Sequence, residues 1–256
     1  MLFRRLRQHV RSHDWFAVGI DLLVVIVGIY LGFQVAAWDE HRQLLNQRED
    51  YLSRLIDDLQ DDVQEAEIVD RINRRGAQRI DWIEQILGGS VQASESDLQM
   101  QDFFSLANTR RIVLRRNTFD EMQTSGKFGA LVDDPALRDD LVEYYSDRVV
   151  RDQFNSILDA AEGRFRERFA GVLTSDQLLG NWFDEFKQQI DFDFPPESSS
   201  PAEVAAVIQK MQARPQLLDA LPDLKNAKVL SMREGNIVRS RAEGLIERIQ
   251  QVVKQL

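Results

Sequence analysis

The chain has 256 residues, 43 % hydrophobic and 29 % charged, with a net charge of −10. That balance suits a folded protein and excludes a disordered one, and the acidity excludes nucleic acid as a main partner. Cysteine is absent, so disulfide staples, thiol nucleophiles and thiolate metal sites are excluded as well.

Residues 1–15 mix Leu2, Phe3, Leu6 and Val10 with Arg4, Arg5, Arg7 and Arg11. They read as a short basic cytoplasmic segment lying on the anionic inner leaflet. Residues 16–37 form an apolar run between Trp15 and Trp38 whose one ionisable side chain is Asp21. At about 1.5 Å per residue the run is roughly 33 Å long, enough to cross a hydrocarbon core, so residues 16–38 are expected to be a transmembrane helix with the two tryptophans at the interfaces. Four arginines precede the span with Asp14 as the one acid, whereas residues 39–62 hold three arginines and eight acids. This asymmetry predicts a cytoplasmic N-terminus in a bacterial inner membrane and a periplasmic domain over residues 39–256. Those four arginines account for four of the 32 basic residues, and Asp14 and Asp21 for two of the 42 acids, which leaves the domain at −12. A cleaved signal peptide ending at Val35-Ala36-Ala37 is the alternative, against which stands an apolar run longer than the usual h-region.

Within the span Gly28 and Gly32 form a G-x-x-x-G pair that Ala36 extends. Small residues at this spacing let helix backbones approach closely. At about 100° per residue Asp21 falls within about 20° of both glycines. A carboxyl group inside the membrane avoids lipid, so Asp21, Gly28, Gly32 and Ala36 are the expected oligomerisation face. Hydration of Asp21 by the headgroups is the competing reading.

The helical pattern runs on past Trp38 through Leu45, Leu52, Leu55, Leu59, Val63, Ala66 and Val69 to Leu87. One long helix is predicted, with Asn73–Gly76 as a candidate kink and Gly88-Gly89 as its cap. A helix over residues 97–108 follows. Residues 110–117, RRIVLRRN, fit either a helical turn or an extended connection. Thr118-x-x-Glu121 predicts a capping box opening a short helix that stops at Gly126. Asp134-Pro135 opens a helix of about 35 residues to Ala170. Its expected core includes Leu141, Tyr144, Tyr145, Val149, Phe154, Leu158, Ala161 and Phe165. Thr174-x-x-Gln177 predicts a helix to Gln189, Asp191–Ser200 a loop, Ser200-x-x-Glu203 a helix to Ala213, and Pro215 and Pro222 introduce a last long helix. No run alternates long enough for a strand. The expected fold is all-α: a transmembrane helix continuing into an antiparallel bundle of long helices.

Thr118–Asp147 carries a Thr-aromatic start, Ser125-Gly126, Leu131-Val132, Leu137-Arg138 and Tyr144-Tyr145, and the span is followed by Trp38-Asp39-Glu40. In these features the chain resembles an uncharacterised bacterial family of single-span membrane proteins, a domain of unknown function. Its members have an acidic residue early in the span and a Trp-Asn-Glu step after it. The resemblance covers the first 60 residues and the middle 30 or so. It implies the architecture and no activity, cofactor or catalytic residue.

All three histidines, His9, His13 and His41, lie before the domain's bulk. Catalysis of the Ser-His-Asp or Cys-His kind, and His- or Cys-ligated metal, are therefore excluded within it. Ser125-Gly126-Lys127 lacks the P-loop spacing. Arg110, Arg111, Arg115 and Arg116 form a candidate anion site beside a helix N-terminus, or else pair with acids of the domain. Asp57, Asp58, Asp61 and Asp62 read as a solvated helix face, with a weak calcium site including Glu65 as the alternative. Tyr144, Tyr145, Trp182, Phe183 and Phe186 read as core, with a ligand pocket as the alternative.

The expected function is that of a membrane-anchored helical interaction protein, not an enzyme and without cofactor, which self-associates through its span or meets another envelope protein. A periplasmic small-ligand sensor without a cytoplasmic output of its own is a second class. A carboxylate-dependent envelope enzyme acting on glycans is the third.

Overall fold

The computed structural model describes residues 15–92, 98–146, 148–173 and 200–255, and these are helical with no strand. The segments expected to open a helix at Thr174 and to loop over 191–199 lie outside the described residues, as do Trp182, Phe183 and Phe186. The first helix, α1, runs from Trp15 to Leu87 as one element of 73 residues, about 110 Å long. It passes through Asn73–Gly76 without interruption. Its end is built as the glycine pair predicts: Gly89 takes a left-handed φ of 75°. Its N–H reaches the Ile86 carbonyl and the Ser90 N–H reaches Gln85, the paired bonds of a Schellman cap.

Among the described residues, seven short and long helices lie between α1 and the last one. They are α2 (Met100–Ser105), α3 (Asn117–Thr124), α4 (Phe128–Leu131), α5 (Pro135–Ser146), α6 (Arg148–Phe169), α7 (Pro201–Gln212) and α8 (Pro215–Leu218), and α9 (Leu221–Val253) closes the bundle. Two local signals act as the sequence predicts. Asp134 accepts from the Ala136 N–H at 3.0 Å, and Ser200 and Glu203 exchange both bonds of a capping box. The helix expected from residue 97 is shorter, starting at Met100. The helix expected to reach Ala170 from Asp134 is described as α5 and α6.

The spine is the antiparallel pair of α1 and α9. In α1 the buried positions are Leu52, Leu55, Leu59, Asp62, Ala66, Val69 and Asn73; in α9 they are Leu224, Lys228, Ser231, Gly235, Val238, Ala242, Leu245 and Ile249. Both sets alternate steps of three and four, the seam of a coiled coil. The backbones approach closely at Gly235, where an added Cβ would lie 3.5 Å from the Ala66 carbonyl. Gly76 leaves room for a side chain instead: a Cβ there would meet Lys228 Cδ and Cε at 2.9 Å.

Two large apolar cores sit along this spine, with a small cluster of Leu158, Ala161 and Ala227 besides. The one nearer the span joins Leu52–Val69 to Ile112, Leu114, Phe119, Leu141, Tyr144, Tyr145 and the end of α9. The distal one joins Ile80, Ile83 and Ile86 to Phe103, Phe165, Val207, Met211 and the start of α9. Leu141, Tyr144, Tyr145, Leu158, Ala161 and Phe165 are buried as the periodicity predicts, Phe154 is only half-buried, and the side chain of Val149 lies outside the described residues. Between the cores lies a layer of buried polar groups: Asn73, Thr109, Glu162, Lys228 and Ser231, none more than 8 % exposed.

Residues 108–116 form an irregular connection outside any helix or strand, and Asn117, the last residue of the uncertain stretch, opens α3. Such backbone needs other partners for its N–H and C=O groups, and side chains of three helices provide them. Asn73 accepts from the Arg110 N–H at 3.0 Å and donates to its carbonyl at 2.8 Å. Ser231 donates to that carbonyl at 2.6 Å and Lys228 to the Asn108 carbonyl at 2.8 Å. Glu162 accepts from the Thr109 N–H at 2.8 Å, and Asp62 from the Arg115 N–H at 2.7 Å.

These bonds make Asn73 the residue on which the layer most depends. Replacing it by leucine leaves a buried N–H without a partner and weakens the bonding of its carbonyl, which costs about 2–4 kcal/mol. Chemical denaturation of Asn73→Leu should show that loss as a lower midpoint with an unchanged slope, whereas Arg74→Leu, one position away and exposed, should stay within about 0.5 kcal/mol of the parent.

Candidate functional site

The span is bare along its described length. Every large apolar side chain from Ile20 to Trp38 is at least 45 % exposed, and its best 18-residue stretch has a mean hydropathy of 2.2 with none of it buried. A helix of this length and polarity can cross a membrane. Among its side chains Gln34 donates to Tyr30 at 3.1 Å, and the Arg42 guanidinium lies 5.7 Å from the Trp38 ring centre. Arg4, Arg5, Arg7 and Arg11, and the side chain of Trp15, lie outside the described residues.

An added Cβ at Gly28 or Gly32 would meet nothing within 4 Å. Because α1 is unbroken, the direction of this face is tied to the direction of the domain. At about 100° per residue Gly32 and Leu59 lie about half a turn apart. The glycine face, with Asp21, thus points away from the seam that packs on α9. Followed up the helix it continues as Asp39, Gln43, Asn46, Asp50, Ser53, Asp57 and Gln64, all exposed. Among the described residues none covers this stripe.

The four arginines of 110–116 are not gathered into one site. Arg110 binds Glu65 at 2.8 Å, Arg111 binds Asp159 at 2.6 Å and Glu162 at 3.3 Å, Arg115 lies 3.8 Å from Asp61, and Arg116 binds Asp120 at 3.0 Å and the Tyr145 carbonyl at 3.1 Å. Each guanidinium has a carboxylate within the domain, the pairing that a −12 domain favours. The acidic run of α1 departs from the solvated face that its composition suggests. Asp57 and Asp61 are exposed, but Asp62 is fully buried between the Arg115 N–H and the Tyr144 hydroxyl, which donates to it at 2.8 Å. Asp58 accepts from the Thr118 N–H at 3.0 Å. The capping box expected at Thr118-x-x-Glu121 is therefore not formed: α3 starts one residue earlier and Asp58 of α1 caps it. Glu121 instead accepts from Tyr51 at 2.7 Å and Arg54 at 2.5 Å, and the Arg54 bond holds its carboxyl below the usual range. Among the described residues no group of three metal-ligating side chains converges.

A cleft of about 280 Å³ lies between α5 and α9. It brings Asp140 and Glu143 together, but Arg248 pairs with the first and Arg241 with the second, at 3.2 Å. Sequence reading missed the polar layer, whose members are scattered over residues 73, 109, 162, 228 and 231. The legible trace was a lysine and a serine at seam positions of the last helix.

Lys228 is 2 % exposed, and burial pushes its ammonium down to about 8, against the upward pull of Glu162. The folded state then holds fewer protons than the unfolded one between pH 8 and about 10.4. Charging the buried ammonium costs about 3 kcal/mol below pH 8, a cost relieved as pH rises through that window. Thermal unfolding of the parent should gain stability from pH 8 to 10 relative to Lys228→Met, which lacks the titrating group; parallel pH profiles would contradict this.

No family model, no curated protein and no solved structure matches the chain.

Proposed function

We propose that the chain is a single-pass inner-membrane protein with a cytoplasmic N-terminus and a periplasmic helical domain, and that it acts by association rather than catalysis. Its own copies meet through Asp21, Gly28, Gly32 and Ala36. The observation that carries this reading is the unbroken helix α1, which presents that face on the side opposite the domain. Two copies in one membrane can bring their spans together while the domains stand on the outside. A close G-x-x-x-G crossing at about −40° separates the helices above the membrane, and like charges at Asp39, Asp50 and Asp57 favour the same divergence.

The arginine excess before the span supports the orientation. The lack of histidine and cysteine after His41 supports a non-enzymatic role. Glycan hydrolysis by two carboxylates requires an acid and a base free to exchange protons, whereas the two in the α5–α9 cleft are each neutralised by an arginine.

A chain without cysteine is suited to disulfide mapping in membranes. Asp39→Cys, on the glycine face, should form a disulfide-linked dimer on mild oxidation, and His41→Cys, about half a turn away, should not. Adding Gly32→Leu or Asp21→Leu to Asp39→Cys should cut the yield about tenfold. Equal yields at 39 and 41, or insensitivity to both span substitutions, would overturn association through this face.

A further inference from the structure

We propose that a cavity in the distal core binds a small anionic amphiphile, a carboxylate on a short apolar tail. The cavity holds about 260 Å³. Its Phe103 and Phe165 belong to the same core as Ile83 and Ile86, about 70 Å along α1 from Trp38, so it is independent of association through the span. Phe103, Phe165, Phe169 and Leu173 form its apolar wall, and Asn108 and Arg166 its polar end. Phe103 and Phe165 are 1 % exposed, and the Phe165 and Phe169 rings stack with centres 5.1 Å apart. Cavities with a mostly apolar wall and a few convergent polar groups are the common form of small-molecule sites.

The polar end selects the charge of the ligand. Arg166 uses one nitrogen, Nη2, for all its described bonds: to the Ala107 carbonyl at 3.0 Å, Asn108 Oδ1 at 3.3 Å and Glu162 Oε2 at 3.2 Å. Nε and Nη1 have no partner among the described residues, and the side chain is 56 % exposed. A guanidinium with two adjacent donors to spare matches a carboxylate. Glu162 also binds Arg111 and faces Lys228, so three cations share Glu162, and among the described residues only Arg111 of the three has a second carboxylate, Asp159. This is a local positive excess in a domain that elsewhere repels anions. The volume corresponds to roughly nine groups at about 30 Å³ each, the size of octanoate.

The test uses the full chain in lipid nanodiscs, with empty nanodiscs as the blank, and titrates octanoate, octanol and octylamine by calorimetry. Octanoate should bind one to one, and octanol and octylamine at least tenfold more weakly. Arg166→Gln should weaken octanoate about tenfold or more and leave octanol unchanged, as loss of charge-assisted bonds requires. Ala170→Trp, at an exposed position on the rim, should block all binding while circular dichroism and melting temperature stay those of the parent. Absence of saturable octanoate binding, as when another part of the chain fills the cavity, would overturn the proposal. So would octanoate binding that is indifferent to Arg166→Gln or to Ala170→Trp.

Discussion

The irregular segment 108–116, between α2 and α3, is the constraint around which the described helices are arranged. In an all-α domain such a segment has no sheet to join, and a buried backbone without partners is costly. The solution is a set of polar side chains at positions where a coiled-coil seam would ordinarily carry leucine. Asp62 and Asn73 come from α1, Lys228 and Ser231 from α9, and Glu162 from α6, all converging on one stretch of chain. Polar groups inside a seam lower stability and fix register. Here they fix which level of α1 faces which level of α9, and they divide the domain into a membrane-side core and a distal core.

The strong acidity of the domain takes on a different meaning once the contacts are known. Asp58 and Asp62 accept backbone N–H groups, Glu65 and Asp61 pair with arginines of the irregular segment, and Glu162 neutralises Arg111 and Arg166. The acids of α1 thus hold the segment: Arg110 and Arg115 pair with Glu65 and Asp61, while Arg111 and Arg116 pair with acids of α6 and α3. Among the exposed positions of α1 is the stripe from Asp39 to Gln64, on the far side from α9.

Patterns that depend on near neighbours were legible in the sequence. The span, the long helix, the Gly89 cap, the Asp134 and Ser200 caps and the buried positions of α5 and α6 all follow from spacing within one helix. The capping box at Thr118 failed for a reason that no local pattern contains. Asp58, 60 residues away, reaches the same N–H group, and Glu121 is drawn to Tyr51 and Arg54. The polar layer escaped for the same reason, since its five members come from four separate segments.

The sequence by itself determined that this chain has one apolar span, an acidic helical domain and a glycine face bearing Asp21. These are properties of composition and of helical period, which the backbone enforces locally. Only the tertiary structure decided that the glycine face points away from the domain's packing seam, that Asp58 and Asp62 turn inward, and that Arg166 stands at the mouth of an apolar cavity. Each of those depends on which helices meet and at what level, and that is set by contacts between residues far apart in the chain.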